Sequence, residues 1–131
     1  MDRLPAEDDA FDLVVAHGIW NLARSAAEMR RALSEAARVA RSGAALFVFT
    51  FSRNTLPAGA PSVDGEPFVF TQFSGEPQCF LTAEQLVAEL GAVGFEPDDA
   101  VPMTEYNRAG RAMVTAGPPV IYEAAFRRTA R

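Results

Sequence analysis

Two short apolar segments and the helix between them constrain the fold of this 131-residue chain most strongly. FDLVVA (Phe11–Ala16) and AALFVFTF (Ala44–Phe51) are nearly unbroken apolar runs, and Ala26–Arg41 between them repeats apolar residues at helical spacing. Continuous apolar runs are typical of strands that are covered on both faces. Two such strands joined by a helix form a βαβ crossover, which predicts a parallel pair in an α/β fold.

Local signals mark both ends of the crossover helix. Ser25 and Glu28 have the spacing of a capping box at its start. Arg41 would place a positive charge in the last turn, and Gly43 would supply a left-handed residue after it. These signals predict a helix over Ala26–Arg41 that is followed directly by the second strand.

The segment Ser52–Phe80 is the least regular part of the chain, since it holds four prolines and three glycines. About thirty residues is long for a connection within a compact domain. FVFTQF (Phe68–Phe73) alternates enough to predict a short strand. Two interpretations stay open here: a lid or substrate loop, and a β-hairpin with an ordinary packing role.

A second helix and two further strands are predicted downstream. Thr82 and Gln85 form a capping box that begins a helix, and Gly94 ends it. A weak strand is predicted near Ala100–Thr104, and Pro119–Arg127 predicts a strand at the end of the chain. The length favours one domain.

Composition excludes several classes of protein. The chain is 49% hydrophobic and 22% charged, which is typical of a globular protein, and no apolar run is long enough to span a membrane. A lone cysteine, Cys79, argues against a disulfide framework and favours the reducing cytoplasm. One histidine and one cysteine argue against a metal site. The net charge of −5 argues against nucleic acid as a partner.

Three local motifs, in this order, resemble the C-terminal half of the class I S-adenosylmethionine-dependent methyltransferases. LPAEDDAFDLVVA is similar to the family's approach to its fourth strand, which carries an "FD-x-V" pattern. ALSEAARVARSGAALFVFTFS is similar to the following helix, turn and fifth strand. LTAEQLVAELGAVGFE is similar to the helix before the sixth strand, which ends in "G-F".

The resemblance implies a Rossmann-like methyltransferase three-layer sandwich. We expect residues 1–131 to form a single partial domain, with a truncated, mostly parallel sheet, an antiparallel C-terminal strand and an insert at about 52–80. The family's Gly-rich turn "E-x-G-x-G-x-G" and the acidic residue that holds the cofactor ribose have no counterpart in the sequence. The expectation is therefore a fragment; half of a split enzyme and an independent, non-catalytic module are the alternatives.

The missing first strand of the family has a structural consequence for FDLVVA. In this family the first strand lies beside the fourth, so the edge of Phe11–Ala16 is expected to lack a neighbour. An unpaired edge with a partly uncovered apolar face favours pairing with another strand. We therefore expect self-association, or a partner chain, at this edge.

The implied activity is methyl transfer from S-adenosylmethionine to a small-molecule acceptor, weak or absent in this chain alone. Ala16 and His17 lie at the carboxyl end of their strand, where the resemblance places the cofactor's methionyl part. His17 is a candidate general base, or else a loop histidine that caps backbone groups. Trp20 would pack over the adenine or anchor the core. Met1 and Asp2 flank the missing adenine-recognition position.

Substrate-binding candidates leave the second strand at the same rim or follow it in the insert. They are Phe51, Arg53, Phe73, Phe80 and Tyr106. The aromatic side chains favour an apolar or planar substrate, although phenylalanine is equally suited to a core. Two other functions compete: a non-catalytic interaction module, and a doubly wound enzyme with another nucleotide. The absence of a phosphate-binding loop argues against the latter.

Overall fold

The computed structural model describes residues 3–107 and 119–129. Its helices and strands are, in chain order, β1 (Phe11–His17), α1 (Ala26–Val39), β2 (Ala40–Phe51), β3 (Val69–Phe70), β4 (Gln78–Cys79), α2 (Ala83–Ala92), β5 (Phe95–Pro97), β6 (Thr104–Tyr106) and β7 (Ile121–Arg128). Short 3-10 turns cover Trp20–Leu22 and Arg53–Thr55. Neither helix is long and apolar enough to cross a membrane.

A five-stranded sheet in the order β1-β2-β7-β5, with β6 also paired to β7, forms the centre of the fold. β1 and β2 are parallel, whereas β7 is antiparallel to β2, β5 and β6. Four strands therefore run in one direction and the C-terminal strand runs in the other. This confirms the predicted fold class: an α/β, Rossmann-like arrangement with a mostly parallel sheet and an antiparallel last strand.

Both helices contribute to one hydrophobic core on a single face of the sheet. Leu46 and Val48 of β2 point into this core, together with Phe126 of β7. From the helices, α1 adds Leu33 and α2 adds Leu90. Both described helices therefore cover the same face of the sheet.

The other side of the sheet, which we call the open face, is apolar and exposed. Leu13 and Val15 of β1 lie opposite Ala45 and Phe47 of β2. Their exposed fractions are 52% for Leu13 and 56% for Val15, and Phe47 is also exposed. This agrees with the partly uncovered apolar face expected for FDLVVA. No strand among residues 3–107 and 119–129 pairs with the outer edge of β1.

The start of each helix is as predicted, but α1 ends two residues early. The Ser25 hydroxyl accepts a hydrogen bond from the backbone N–H of Glu28 at 3.0 Å. Ala40 pairs with Phe11 of β1, so the segment after Val39 joins the sheet instead of continuing the helix. Gly43 has the predicted left-handed conformation, at φ +81°, but within β2, where the pairing with β1 is irregular.

The insert packs against the rim of the sheet as a small folded unit. β3 and β4 form an antiparallel hairpin in which Val69 pairs with Cys79. Leu56, Phe70 and Phe80 make a second buried cluster, against which Phe51 and Phe73 pack. The predicted strand at Phe68–Phe73 is shortened to β3.

The last part of the chain differs from prediction in three strands. β5 covers Phe95–Pro97, where no strand was predicted. The weak strand expected near Ala100–Thr104 lies further along as β6. β7 begins at Ile121, two residues later than predicted.

Candidate functional site

The carboxyl ends of β1 and β2 open into a pocket of about 320 Å³ at the rim of the sheet. In open α/β sheets this end of the strands is where ligands bind. The pocket is largely apolar, with a few polar groups, which is typical of small-molecule sites. Its lining consists of His17, Gly18, Asn21, Phe49, Thr50, Phe51, Tyr106, Ile121 and Glu123.

The parallel pairing of β1 and β2 places the first part of the lining. His17 is the last residue of β1 and lies opposite Phe49, and their rings meet edge to face at 4.7 Å. Gly18 then turns the chain with φ +68°, a conformation that side chains disfavour, and its N–H donates to the Phe49 carbonyl at 2.8 Å. The following 3-10 turn brings Asn21 to the pocket.

The antiparallel strand β7 begins at the same rim, because it runs opposite to β2. Ile121 pairs with Phe51 and Glu123 pairs with Phe49. β6 ends beside them, where Tyr106 pairs with Ile121. The pocket therefore extends across the sheet from a β1 end, near His17, to a β7 end, near Glu123. Two strand spacings, roughly 10 Å, separate the backbones at these ends.

Polar groups without partners are concentrated in this pocket. Asn21 is 3% exposed and Thr50 is 1% exposed, and a side-chain oxygen of each is buried without a hydrogen-bond partner in the described part of the chain. Glu123 is half-buried, and no hydrogen bond or ion pair joins its carboxylate to the described residues. Buried polar atoms are normally paired, so these three groups are suited to a ligand.

Three of the predicted site residues come together in the pocket: His17, Phe51 and Tyr106. Phe73 and Phe80 lie behind it, because their rings contact Phe51 at centroid distances of 5.5 and 5.3 Å. Both belong to the insert, which therefore supports the Phe51 side of the pocket.

Other candidates lie elsewhere. Ala16 and Trp20 are buried in the main core and do not line the pocket. The Arg53 guanidinium lies 4.7 Å from the centroid of the Phe70 ring and donates to backbone carbonyls of the turn after it. Met1 and Asp2 lie outside the described residues.

A second, more polar pocket of about 400 Å³ lies near the start of α2 and includes Arg53. Several of its polar groups are paired within the protein. Glu105 accepts hydrogen bonds from the Ser52 hydroxyl at 2.6 Å and the Asn54 amide at 2.8 Å. Burial raises the pKa of Tyr122, which also lines it. These pairs fix the end of β2 against β6 and are explained without a ligand.

The described residues form no group of three or more side chains of the types that hold a metal. Cys79 is buried in the core, and burial raises the pKa of its thiol to about 12. A protonated, inaccessible thiol is a poor nucleophile.

Sequence reasoning missed several lining residues, among them Asn21, Phe49, Thr50, Ile121 and Glu123. Phe49, Thr50 and Ile121 lie in apolar runs that look like core. Glu123 looks like an ordinary polar residue of a terminal strand. Glu123 lies at the rim because of the register of β7 against β2. That register joins distant parts of the chain and cannot be predicted from a local sequence pattern.

Comparisons with known proteins place this pocket in a recognisable fold. A family described as "Methyltransferase domain" matches residues 1–48. An S-adenosylmethionine-dependent methyltransferase from Methanosarcina mazei superposes with a TM-score of 0.70 at 18% identity, over 99% of this chain and 65% of that one. The chain has the class I methyltransferase fold. No curated protein sequence matches it.

Two further structures with the methyltransferase-like fold illustrate its range. The 1,6-didemethyltoxoflavin-N1-methyltransferase of Burkholderia thailandensis, solved with its substrate and S-adenosylhomocysteine, superposes with a TM-score of 0.66 at 15% identity, over 98% of this chain and 48% of that one. The [4+2]-cyclase SpnF superposes with a TM-score of 0.65 at 23% identity, over 99% and 55%. The chain thus spans about half to two thirds of these proteins, and the fold alone does not fix the reaction.

Proposed function

We propose that this chain takes part in S-adenosylmethionine-dependent methyl transfer to a small-molecule acceptor, as the C-terminal part of a methyltransferase catalytic domain. The observation that carries the proposal is the pocket at the carboxyl ends of β1 and β2. This is the ligand-binding end of an open α/β sheet, and its volume of about 320 Å³ suits a small molecule. The family match over residues 1–48 supports the same activity.

The β1 end of the pocket fits one side of the cofactor. Asn21 offers a buried oxygen that has no partner among the described residues and would accept a hydrogen bond from the cofactor's ammonium group. A Cβ at Gly18 would meet no atom within 4 Å, so there is open space beside this turn. His17, Gly18 and Asn21 are therefore the described residues that would hold the cofactor. When bound, the cofactor supplies an electrophilic methyl group.

Methyl transfer depends mainly on alignment of the acceptor with the methyl group, so positioning carries much of the rate. His17 is placed for this, since Phe49 supports its ring at the β1 end. We propose that it orients the acceptor and receives a proton where the acceptor releases one. Ala16 and Trp20 contribute indirectly, because they pack the end of β1 against the core and so position the pocket residues that follow.

The substrate side is proposed at the aromatic wall. Phe51 and Tyr106 line the pocket, and Phe73 and Phe80 support Phe51 from behind. Arg53 contributes to the substrate side indirectly, because its guanidinium donates hydrogen bonds to carbonyls in the first turn of the insert and so stabilises that turn. Because the sequence has no Gly-rich turn, we propose that this chain alone binds the cofactor weakly.

Calorimetric titration with S-adenosylmethionine tests the proposal, with a matched pair of glycine variants. Gly18 and Gly43 both have positive φ and open space around them, but only Gly18 lines the pocket. We expect a dissociation constant between roughly micromolar and millimolar. We also expect Gly18→Ala to weaken binding while Gly43→Ala leaves it unchanged. No binding at about millimolar cofactor would contradict the proposal.

A second candidate function is a non-catalytic interaction module, or half of a split methyltransferase. The observation that favours it is the outer edge of β1, which pairs with no strand of the described residues and is bordered by the exposed Leu13 and Val15. An added strand would pair this edge and cover apolar surface. Size-exclusion chromatography over a range of concentrations tests it. A species that grows with concentration is expected, and a stable monomer throughout would contradict self-association.

A further inference from the structure

The β7 end of the pocket holds a carboxylate in apolar surroundings. Glu123 lies on β7 between β2 and β6, opposite Phe49 on one side and Thr104 on the other. Its side chain shares the pocket with Phe49, Phe51 and Ile121, and it is half-buried without an ion pair or hydrogen bond to the described residues. A partly desolvated carboxylate is costly unless a donor or a cation approaches it.

The described residues do not supply that cation at the pocket. None of the nine that line it is a lysine or an arginine. The nearest arginine along β7, Arg127, is paired with Asp98 at 3.1 Å and donates to the carbonyl of Gly43. Arg53 is engaged with the turn of the insert. The charge of the lining therefore favours a ligand that carries a cation or N–H donors, and it opposes an anionic ligand.

The other groups at this end restrict the shape of the ligand. Phe49, Phe51 and Tyr106 present aromatic rings, and Ile121 adds an apolar surface between them. The hydroxyl oxygen of Thr50, which has no hydrogen-bond partner in the described part of the chain, can form one more hydrogen bond with a ligand. Aromatic and aliphatic walls with few polar groups select a flat, apolar body whose orientation is fixed by those groups.

We propose that the methyl acceptor is a flat small molecule with an amino group, and that Glu123 is its anchoring residue. The amino group lies at the β7 end, where Glu123 accepts its hydrogen bonds. The flat body extends over Phe49 toward His17, so that the reacting atom lies at the β1 end. Glu123 thereby determines which acceptors are bound, without contact with the reacting atom. This inference rests on the proposed methyl transfer, because that function makes the ligand of this pocket the methyl acceptor. Its test measures ligand binding and does not require the cofactor.

Binding of three probes with one aromatic body tests the inference on the whole chain. Naphthylmethylamine, naphthylmethanol and naphthoate differ in charge at the same position, and nuclear magnetic resonance titration measures their affinities without cofactor. A charge-assisted hydrogen bond predicts that the amine binds about tenfold more tightly than the alcohol, and naphthoate most weakly. Glu123→Gln is expected to remove the preference for the amine. Glu96→Gln, an exposed change on β5, is expected to keep it.

The outcomes separate this inference from the proposed function. Equal binding of amine and alcohol, or an amine preference that survives Glu123→Gln, would overturn the role of Glu123 even where the cofactor binds. If Glu123→Gln does not fold, the amide shifts of the unaltered chain decide. Shifts centred on Glu123 and Phe49 on addition of the amine support the inference, and shifts centred elsewhere overturn it.

Discussion

The imidazole of His17 and the ring of Phe49 meet edge to face at 4.7 Å across the parallel pair of β1 and β2. This contact joins the two strands at the end where the pocket opens. Phe49 also pairs with Glu123 on the other side, so it lies between the proposed cofactor end and the proposed anchoring carboxylate. Its ring is therefore the part of the pocket floor that a flat ligand would cover.

Replacement of Phe49 by alanine should weaken the binding of every flat probe, whatever its charge. Loss of one aromatic contact is worth about 1 kcal/mol, so we expect roughly a five- to tenfold loss of naphthylmethanol affinity. The ratio between amine and alcohol should stay the same because Glu123 is retained. Phe47→Ala, two residues away on the same strand and outside the pocket, serves as the control. Equal losses in both variants would contradict a ligand site over Phe49.

Arg53 is expected to act on stability. Its guanidinium donates to the carbonyls of Leu56 at 3.2 Å and Pro57 at 2.9 Å, and it packs on Phe70. A lysine cannot reproduce this planar set of donors. Arg53→Lys should therefore lower the free energy of unfolding by about 1–2 kcal/mol in chemical denaturation.

A matched change at Arg24 provides the control. Arg24 forms an exposed ion pair with Glu76, and such pairs are worth less than about 1 kcal/mol. Arg24→Lys should leave the unfolding midpoint nearly unchanged. Two results together would contradict a structural role for Arg53: equal unfolding midpoints of the two lysine variants, and a loss of probe binding in Arg53→Lys. Arg53 would then contact the substrate directly.

Local patterns in the sequence were sufficient to predict some elements of the fold. The capping box at the start of α2 is formed as predicted: Thr82 accepts from the N–H of Gln85 at 3.1 Å, and Gln85 accepts from the N–H of Thr82 at 2.9 Å. These bonds join residues that are three positions apart, so a local sequence pattern is sufficient to predict them. The same holds for the parallel pair β1 and β2, whose apolar runs and connecting helix are contiguous.

Features that depend on distant residues were not predictable in this way. The segment after Val39 has a helical pattern, yet Ala40 pairs with Phe11, and the sheet determines where α1 ends. Likewise, Phe95–Pro97 is a strand only because β7 lies beside it. At the site, the position of Glu123 follows from the register of β7 against β2. The buried oxygens of Asn21 and Thr50 are identified as unpaired within the described residues only once every hydrogen bond around them is known.

The pH dependence of stability should depend on Glu35. Its carboxylate accepts hydrogen bonds from the Arg38 guanidinium at 2.6 and 2.9 Å and from the N–H of Leu4 at 2.7 Å. The bonds from Arg38 first, and the one from Leu4 second, lower the pKa of Glu35 from 4.5 to about 2. A lowered pKa in the folded chain means that this stabilisation is complete above about pH 4.5 and is lost as the pH falls toward about 2.

Urea unfolding at about pH 6 and about pH 3 measures this contribution. Glu35→Gln should be less stable than the unaltered chain at the higher pH, and the difference should shrink at the lower pH. Glu7→Gln, at an exposed position, controls for the loss of a negative charge. A difference for Glu35→Gln that is the same at both pH values would contradict the pKa shift.

The open face should govern self-association. Leu13 and Val15 are exposed at the edge strand β1, so replacement of both by lysine adds charge where another chain would dock. Each apolar side chain is worth roughly 1 kcal/mol at an interface, which predicts at least a tenfold weaker association in analytical ultracentrifugation. Lysine at Val63 and Val101, which are exposed outside β1 and β2, should have no effect. Equal effects of the two pairs would contradict a docking surface on β1.

The most direct test of the central claim, that the carboxyl ends of β1 and β2 form one side of a methyltransferase site, is a titration of the chain with S-adenosylhomocysteine followed by amide chemical shifts. We predict saturable shifts at roughly micromolar to millimolar ligand, centred on the β1 end of the pocket at His17, Gly18 and Asn21. Shifts confined to other regions, or none at about millimolar ligand, would contradict the claim.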